Sequence, residues 1–300
     1  MSASLSGGVS ATPEPPATSS MSRYLPHALQ ALLRHPRVEP HVAAVLRSRA
    51  VRESLSFAPR ELSGRHSAHV YHVRDSGLRV LIVHGTSDAH ALDQAFYQHD
   101  HEPPAGALAA LQDIEHPLRA LDLGANVGLW GLWLHGRFSV GYVLALEPDP
   151  QNVERHLRQI ELNALNSSWE VLEAAAVTAD GPVSFTVGQA TNGRVTDVAD
   201  ADAASVPGRD TFALLEDIDL LKIDIEGGEW PILADPRFKE LRVPVVMLEY
   251  HAHGAPSSDP ASDARQALER AGYSTETMTE TAKGFGVVWG YKRPSASVST

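Results

Sequence analysis

The sequence predicts an α/β fold: a doubly wound, mostly parallel sheet that closes on an antiparallel hairpin, preceded by a helical and hairpin extension. Three observations carry this expectation. From about residue 117, apolar strand-like runs alternate with helix-like segments, the pattern of a parallel sheet covered on both faces. The first of these strands runs into a glycine turn, Asp122-Leu123-Gly124-Ala125-Asn126-Val127-Gly128, and then a helix. Near the end of the chain, two strand-like runs flank Lys283-Gly284, which reads as an antiparallel hairpin.

Taken in order, residues 1–22 are rich in Ser, Ala, Thr, Pro and Gly and read as a disordered leader. Leu25, Leu29, Leu32 and Leu33 recur at helical spacing, as do Val42, Val45 and Leu46, with Pro36 and Pro40 separating the two runs. His69–Arg74 and Leu78–His84 read as strands around the Asp75-Ser76-Gly77 turn. Asp88–His99 looks helical, and Pro103-Pro104 stops it. The expected strands of the main sheet are Arg119–Leu123, Val140–Glu147, Trp169–Val177, Asp219–Ile225 and Val243–Tyr250. Helices are expected near 127–137, 149–165, 210–217, 228–240 and 260–272. Ser274–Thr279 and Gly286–Tyr291 form the closing hairpin. The implied organisation is a leader (1–22), an N-terminal helical and hairpin extension (23–116), the main α/β domain (117–292) and a flexible tail (293–300).

Composition narrows the function classes. The 300 residues include no cysteine, which excludes disulfides, thiolate metal sites and cysteine nucleophiles and suits a cytoplasmic protein. No apolar run approaches the roughly 18 residues that span a bilayer, and the leader lacks the basic start and apolar block of a signal peptide. Residues 23–79 hold ten arginines against four acids, although the whole chain carries a net charge of −12. The remainder is therefore acidic and makes a poor nucleic-acid surface. The basic segment suits solvated helix faces, or an acidic substrate or partner.

The glycine turn lies where ligands bind in doubly wound sheets, beyond the carboxyl ends of the strands. Its glycines permit positive φ and close backbone approach, and Asp122 is placed to receive an amino group. A pyrophosphate-binding turn would read G-x-G-x-x-G; here Asn126 occupies the third position. Glu147 ends the next strand, where a carboxylate can accept two hydrogen bonds from ribose hydroxyls, and Asp149 suits an N-cap. In the Asp219–Glu229 stretch, period-two alternation sets Lys222, Asp224 and Glu226 on one side. A strand buried on both faces rarely carries such a row by chance.

Together, Asp122–Gly128, Glu147-Pro148, Ala174–Val177 before Asp180-Gly181, Leu221–Glu229, Asn163 and Leu248–His251 resemble the FkbM family of methyltransferases, as does the Ala91–Tyr97 segment ahead of the fold. The resemblance covers about residues 85–291 and implies a class I methyltransferase (Rossmann-like) fold, S-adenosylmethionine as cofactor, and transfer to a hydroxyl oxygen of a small molecule, sugar or secondary metabolite. Mapped onto this chain, it implies a cofactor site of Asp122, Gly124, Asn126, Gly128, Glu147, Ala175 and Asp224, with Glu226 and Glu229 in the same motif. One departure is Gly228-Glu229-Trp230, where relatives more often carry Ala-Glu and an aliphatic residue; Trp230 either packs the helix or shapes the acceptor pocket.

Transfer to an alcohol requires a group that takes its proton. Asp224 is the first candidate and Glu226 the second, with Glu249 and His251 next. Glu249, His251 and His253 share a spacing that could bind metal, but Gly254 and Pro256 follow closely, so no metal is expected there; His99-x-His101 is a weaker case. Two other classes stay open on the residues alone, a nicotinamide-dependent oxidoreductase and a non-catalytic cofactor-binding module. The N-terminal extension suits a lid over a small-molecule acceptor or a homodimer contact.

Overall fold

The structure is a computed structural model, and it describes residues 39–98, 100–186, 194–195, 203–281 and 284–292. The expected leader, the helix around Leu25–Leu33, Pro36, His99, Lys283 and the tail fall outside the described residues. The chain divides into two compact units, residues 1–43 and 44–300. Of the first, the described part is the start of helix α1 (Glu39–Arg47).

The second unit continues through a 3-10 turn and helix α2 (Ser54–Leu62) to an antiparallel hairpin, β1 (Ser67–His72) and β2 (Arg79–His84). Helices α3 (Asp88–Phe96) and α4 (Ala105–Gln112) follow. Neither α2 nor α4 was expected. Pro59 interrupts the pattern of the first, and the second is a short Ala-rich stretch without a polar face.

The main sheet uses β3 (Leu118–Leu123), β4 (Val140–Glu147) and β5 (Trp169–Glu173), with α5 (Leu129–Arg137) and α6 (Pro150–Leu162) between them. Asp149 caps α6 as expected: its side chain accepts the Gln151 N–H, and Pro150 opens the first turn. The expected strand Trp169–Val177 is in fact two. The Ala174 N–H donates to the carbonyls of both Glu147 and Leu172, which turns the chain. β6 (Ala175–Val177) then joins β7 (Gly181–Thr186), β8 (Arg194–Val195) and β9 (Ala203–Asp210) in a second sheet of order β6-β9-β7-β8. β7 to β9 were missed because Gly181, Pro182, Pro207 and Gly208 lie inside them and read as breakers. The helix expected at 210–217 is a short 3-10 turn, Thr211–Leu214.

The chain returns to the main sheet with β10 (Leu220–Ile223), α7 (Glu229–Ala234), β11 (Val245–Tyr250), α8 (Pro260–Arg270) and the hairpin β12 (Ser274–Glu280) and β13 (Gly286–Tyr291). The helix expected at 228–240 breaks after Ala234 into a 3-10 turn at Pro236–Glu240, which Asp235 caps. The strand order is β12-β13-β11-β10-β3-β4-β5. β3, β4, β5, β10 and β11 are mutually parallel, and β13 runs antiparallel to both β11 and β12. This is the doubly wound sheet with a closing antiparallel hairpin that the sequence predicts.

One apolar cluster unites the extension with this sheet. Val51, Phe57, Tyr71, Val80 and Ile82 share it with Ala120, Trp130, Leu132, Val143 and Trp289. Residues 44–116 therefore bury surface with the main sheet rather than forming a core of their own. Among the described residues, no helix is long and apolar enough to cross a membrane.

Candidate functional site

In the sheet order, β3 lies between β4, which follows it in the chain, and β10, which comes much later. The order in which the strands are laid down reverses here, the switch point beyond whose carboxyl ends ligands bind in such sheets. The register places Lys222 beside Asp122, and Asp122 beside Ala145. Gly124, Glu147 and Asp224 thus follow their strands at one rim.

The turn after β3 depends on its glycines. Gly124 has φ 76°, and a Cβ there would stand 1.8 Å from the Asp224 carbonyl oxygen. Gly128 has φ 82°, and a Cβ would meet the His156 ring at 2.5 Å. Asn126 also takes a left-handed conformation, φ 49°, which asparagine tolerates better than most residues. The N–H groups of Gly124 and Ala125 donate to the Leu146 carbonyl at 3.1 and 3.0 Å. The Asn126 N–H donates to Glu147 Oε2 at 2.8 Å, so the turn is tied to the end of β4.

Glu147 is almost wholly buried. Its Oε1 accepts from the Asp149 N–H at 2.9 Å and from the Asn152 amide at 3.2 Å. Among the described residues, Oε2 accepts from Asn126 alone, leaving a lone pair for a further donor. Burial pushes its carboxyl up to about 7, against the pull of those donors.

At the centre of the rim lies Lys222. Its Nζ donates to Asp122 Oδ1 at 3.0 Å and to the Gly124 carbonyl at 3.1 Å, and stands 3.3 Å from Asp224 Oδ2. Burial would discharge this ammonium, but the carboxylates of Asp122 and Asp224 outweigh burial and hold it charged. A lone buried lysine would be costly; paired in this way it is satisfied. Asp122 is fully buried, and its Oδ2 has no partner among the described residues.

Beyond Lys222 a second group of titratable side chains gathers at the ends of β10 and β11. Asp224, Glu249 and His251 bring ligand atoms within 4.8 Å of one another. His251 Nε2 is 3.4 Å from Glu226 Oε2 and 3.8 Å from Glu249 Oε1. Glu229, fully buried at the start of α7, accepts the His251 N–H at 2.8 Å, faces Nδ1 at 3.2 Å, and accepts the Gly227 N–H at 2.8 Å. It fixes the imidazole. Burial alone would lower His251, but the hydrogen bond it donates to Glu229 and the charges of Asp224, Glu229 and Glu226 push it up to about 9. Burial, then the charge of Asp224, raises Glu249 to about 8 and Glu226 to about 7. The spacing of Asp224, Glu249 and His251 would admit a cation, in contrast to the expectation of no metal. However, the Lys222 ammonium already supplies positive charge to Asp224.

The structure therefore brings together Asp122, Gly124, Asn126, Gly128, Glu147, Asp224, Glu226, Glu249 and His251. The expected alternation of Lys222, Asp224 and Glu226 holds only in part. β10 ends at Ile223, and Glu226 reaches the group through a turn with φ 53°. Ala175 follows directly on Ala174, whose N–H reaches the Glu147 carbonyl, and its side chain joins the small apolar cluster of the second sheet with Phe185 and Val206. Trp230 is buried and donates to the carbonyls of His251 and His253 at 2.9 and 3.0 Å, so it ties down the loop after β11. The His253 carbonyl is thereby held, and that residue is not part of the close-set metal-type trio. The sequence alone assigns no role to Lys222, although the row around it is visible.

The fold and rim define a doubly wound α/β protein with a charged group beside the switch-point crevice. The Methyltransferase FkbM domain matches residues 122–275, and the chain belongs to the FkbM methyltransferase family, whose cofactor is S-adenosylmethionine. Among solved structures, it is similar to the FkbM methyltransferase of Methylobacillus flagellatus KT, at 17% identity and TM-score 0.43, over 85% of this chain and 59% of that one. The chain thus spans 59% of that relative's length. It is also similar to the precorrin-6Y C5,15-methyltransferase of Geobacter metallireducens GS-15, at 18% identity and TM-score 0.38, over 62% of this chain and 85% of that one. A third similar structure is M. jannaschii TYW2 in complex with AdoMet, at 14% identity and TM-score 0.38, over 76% and 86% of the two chains. No curated protein matches the sequence.

The residues present fit the cofactor. Gly124 lets the turn after β3 pack directly on the end of β10, the orphaned Asp122 Oδ2 awaits a donor, and Glu147 Oε2 has an acceptor site to spare.

Proposed function

We propose that this protein transfers the methyl group of S-adenosylmethionine to a hydroxyl oxygen of a small molecule, a sugar or secondary metabolite. The cofactor, when bound, supplies a methyl group already activated by its sulfonium. The protein's task is then to bind, align and take a proton. Holding donor and acceptor in line can remove about 7–11 kcal/mol of barrier. In this reading Glu147 accepts the ribose hydroxyls, the glycine turn lets the backbone approach, and Asp122 meets the amino group.

The observation that carries the choice of an oxygen acceptor is the raised Glu249–Glu226 pair beside His251. A carboxylate whose proton affinity lies near neutrality is matched to taking a proton from an alcohol. Asp224, the first candidate from sequence, is occupied by Lys222; we assign it to positioning and give the base role to Glu249, with Glu226 next to the same imidazole. His251, charged and held by Glu229, balances the negative charge around them.

The test is turnover of methyl-labelled S-adenosylmethionine on a panel of hydroxylated small molecules, with the product linkage read by mass spectrometry and NMR. Label on an ether oxygen is the expected result. Label on nitrogen or carbon would overturn the acceptor assignment. Tight cofactor binding without turnover on any acceptor would favour a binding module.

A further inference from the structure

His101 lies in the connection before α4, ahead of the motifs that define the family match. It is 9% exposed, its ring packs edge-on to Trp133 at 5.9 Å, and its Nδ1 is buried with no partner among the described residues. The charged groups its ring feels are Lys222 and Asp224, the two at the centre of the rim. Burial, then the Lys222 ammonium, holds the imidazole down to about 3, so it is neutral at physiological pH.

Two other orphaned polar atoms border the same lysine. Asp122 Oδ2 belongs to the carboxylate that Lys222 grips by its other oxygen, and Trp130 Nε1 is buried without a partner in a ring 6.0 Å from Nζ. Buried polar groups are normally satisfied, and an orphan marks a place where a partner is missing from view. Here three surround the same lysine: Asp122 by its ion pair, Trp130 by its ring, and His101 within reach of the Lys222 charge. They offer an acceptor (Asp122), a donor (Trp130) and an imidazole that does either. That set is complementary to a zwitterion: a ligand ammonium meets the carboxylate, and a ligand carboxylate meets Trp130, His101 and the Lys222 charge.

We propose that His101, with Trp130, binds the α-carboxylate of the cofactor's amino-acid end, making the connection before α4 part of the cofactor site. The proposal rests on S-adenosylmethionine being the cofactor. It explains why a polar ring is buried in that connection, where an apolar side chain would pack against Trp133 without leaving a nitrogen unpaired.

The test is calorimetric binding of three probes to the full chain. S-adenosylmethionine carries both charges of the zwitterion, decarboxylated S-adenosylmethionine keeps only the ammonium, and methylthioadenosine lacks the whole end. The wild type should bind the first at least about 10-fold more tightly than the second. His101→Phe should weaken S-adenosylmethionine about 10-fold or more while leaving the other two within twofold, which abolishes the discrimination. His101→Gln, which restores an N–H, should recover part of it at unchanged melting temperature. Equal weakening of all three probes, or of none, overturns the proposal. If the wild type binds no adenosyl probe, the cofactor reading itself fails, and this proposal with it.

Discussion

Two acidic stations stand on the same rim, and they are built differently. Glu147 is alone: its raised proton affinity comes from burial, and three N–H donors already hold it in place. Glu249 and Glu226 are crowded: burial and the nearby charge of Asp224 raise both, and His251 lies between them. The first arrangement suits a fixed acceptor that waits for ligand donors. The second suits a group that exchanges a proton. In our proposal, similar perturbations serve binding in one place and chemistry in the other.

Several variants would break or sharpen this contrast. The largest effect should come from Gly124→Ala, which drives a methyl group to 1.8 Å from the Asp224 carbonyl at φ 76° and so strikes both stations at once. A left-handed non-glycine residue and the overpacking together cost about 3 kcal/mol or more; thermal unfolding and cofactor titration should both show the loss.

Next, Glu249→Gln should cut turnover by about 10²–10⁴ while cofactor affinity stays within twofold. Glu147→Gln should do the reverse, weakening cofactor binding about 10-fold through lost charge-assisted hydrogen bonds. Parallel kinetics and calorimetry check the pair; the same profile in both variants would erase the distinction.

The stations should also separate by pH. Ribose hydroxyls donating to Glu147 favour its charged form, so cofactor affinity should rise as pH climbs through about 7. A base must be deprotonated to act, so turnover at saturating cofactor should rise later, through about 8. The profile of Glu249→Gln should lose the second rise and keep the first.

The smallest effect concerns the wall behind the glycine turn. His156 is fully buried against Gly128, and burial lowers it to about 3 against a weaker pull from the Asn126 backbone. Its folded value lies below that of the unfolded chain, so the unfolded state takes the proton first as pH falls through about 6.5. Stability should then drop by up to about 1.4 kcal/mol per pH unit from this group. His156→Phe should lower the midpoint of acid unfolding and leave both stations as they were.

How much of this was legible in the chain differs between elements. The strand–turn–helix around Gly124, the Asp149 cap and the closing hairpin follow from local chemistry and were expected. The second sheet was not, because Pro182, Pro207 and two glycines break its local signal and only pairing between β7 and β9 makes them strands. Glu147 was placed for ribose, yet its hold on the Asn126 N–H could not be read along the sequence.

What the sequence determined by itself was the set of pieces: alternating strands and helices, a turn that needs glycine, and a row of charges at a strand end. Those are short-range matters of backbone sterics and side-chain period. Only the tertiary structure decided that Lys222 would grip Asp122, 100 positions away, and that His251 would be seated on Glu229. Strand order sets which side chains meet, and that order depends on long-range packing that no local pattern encodes.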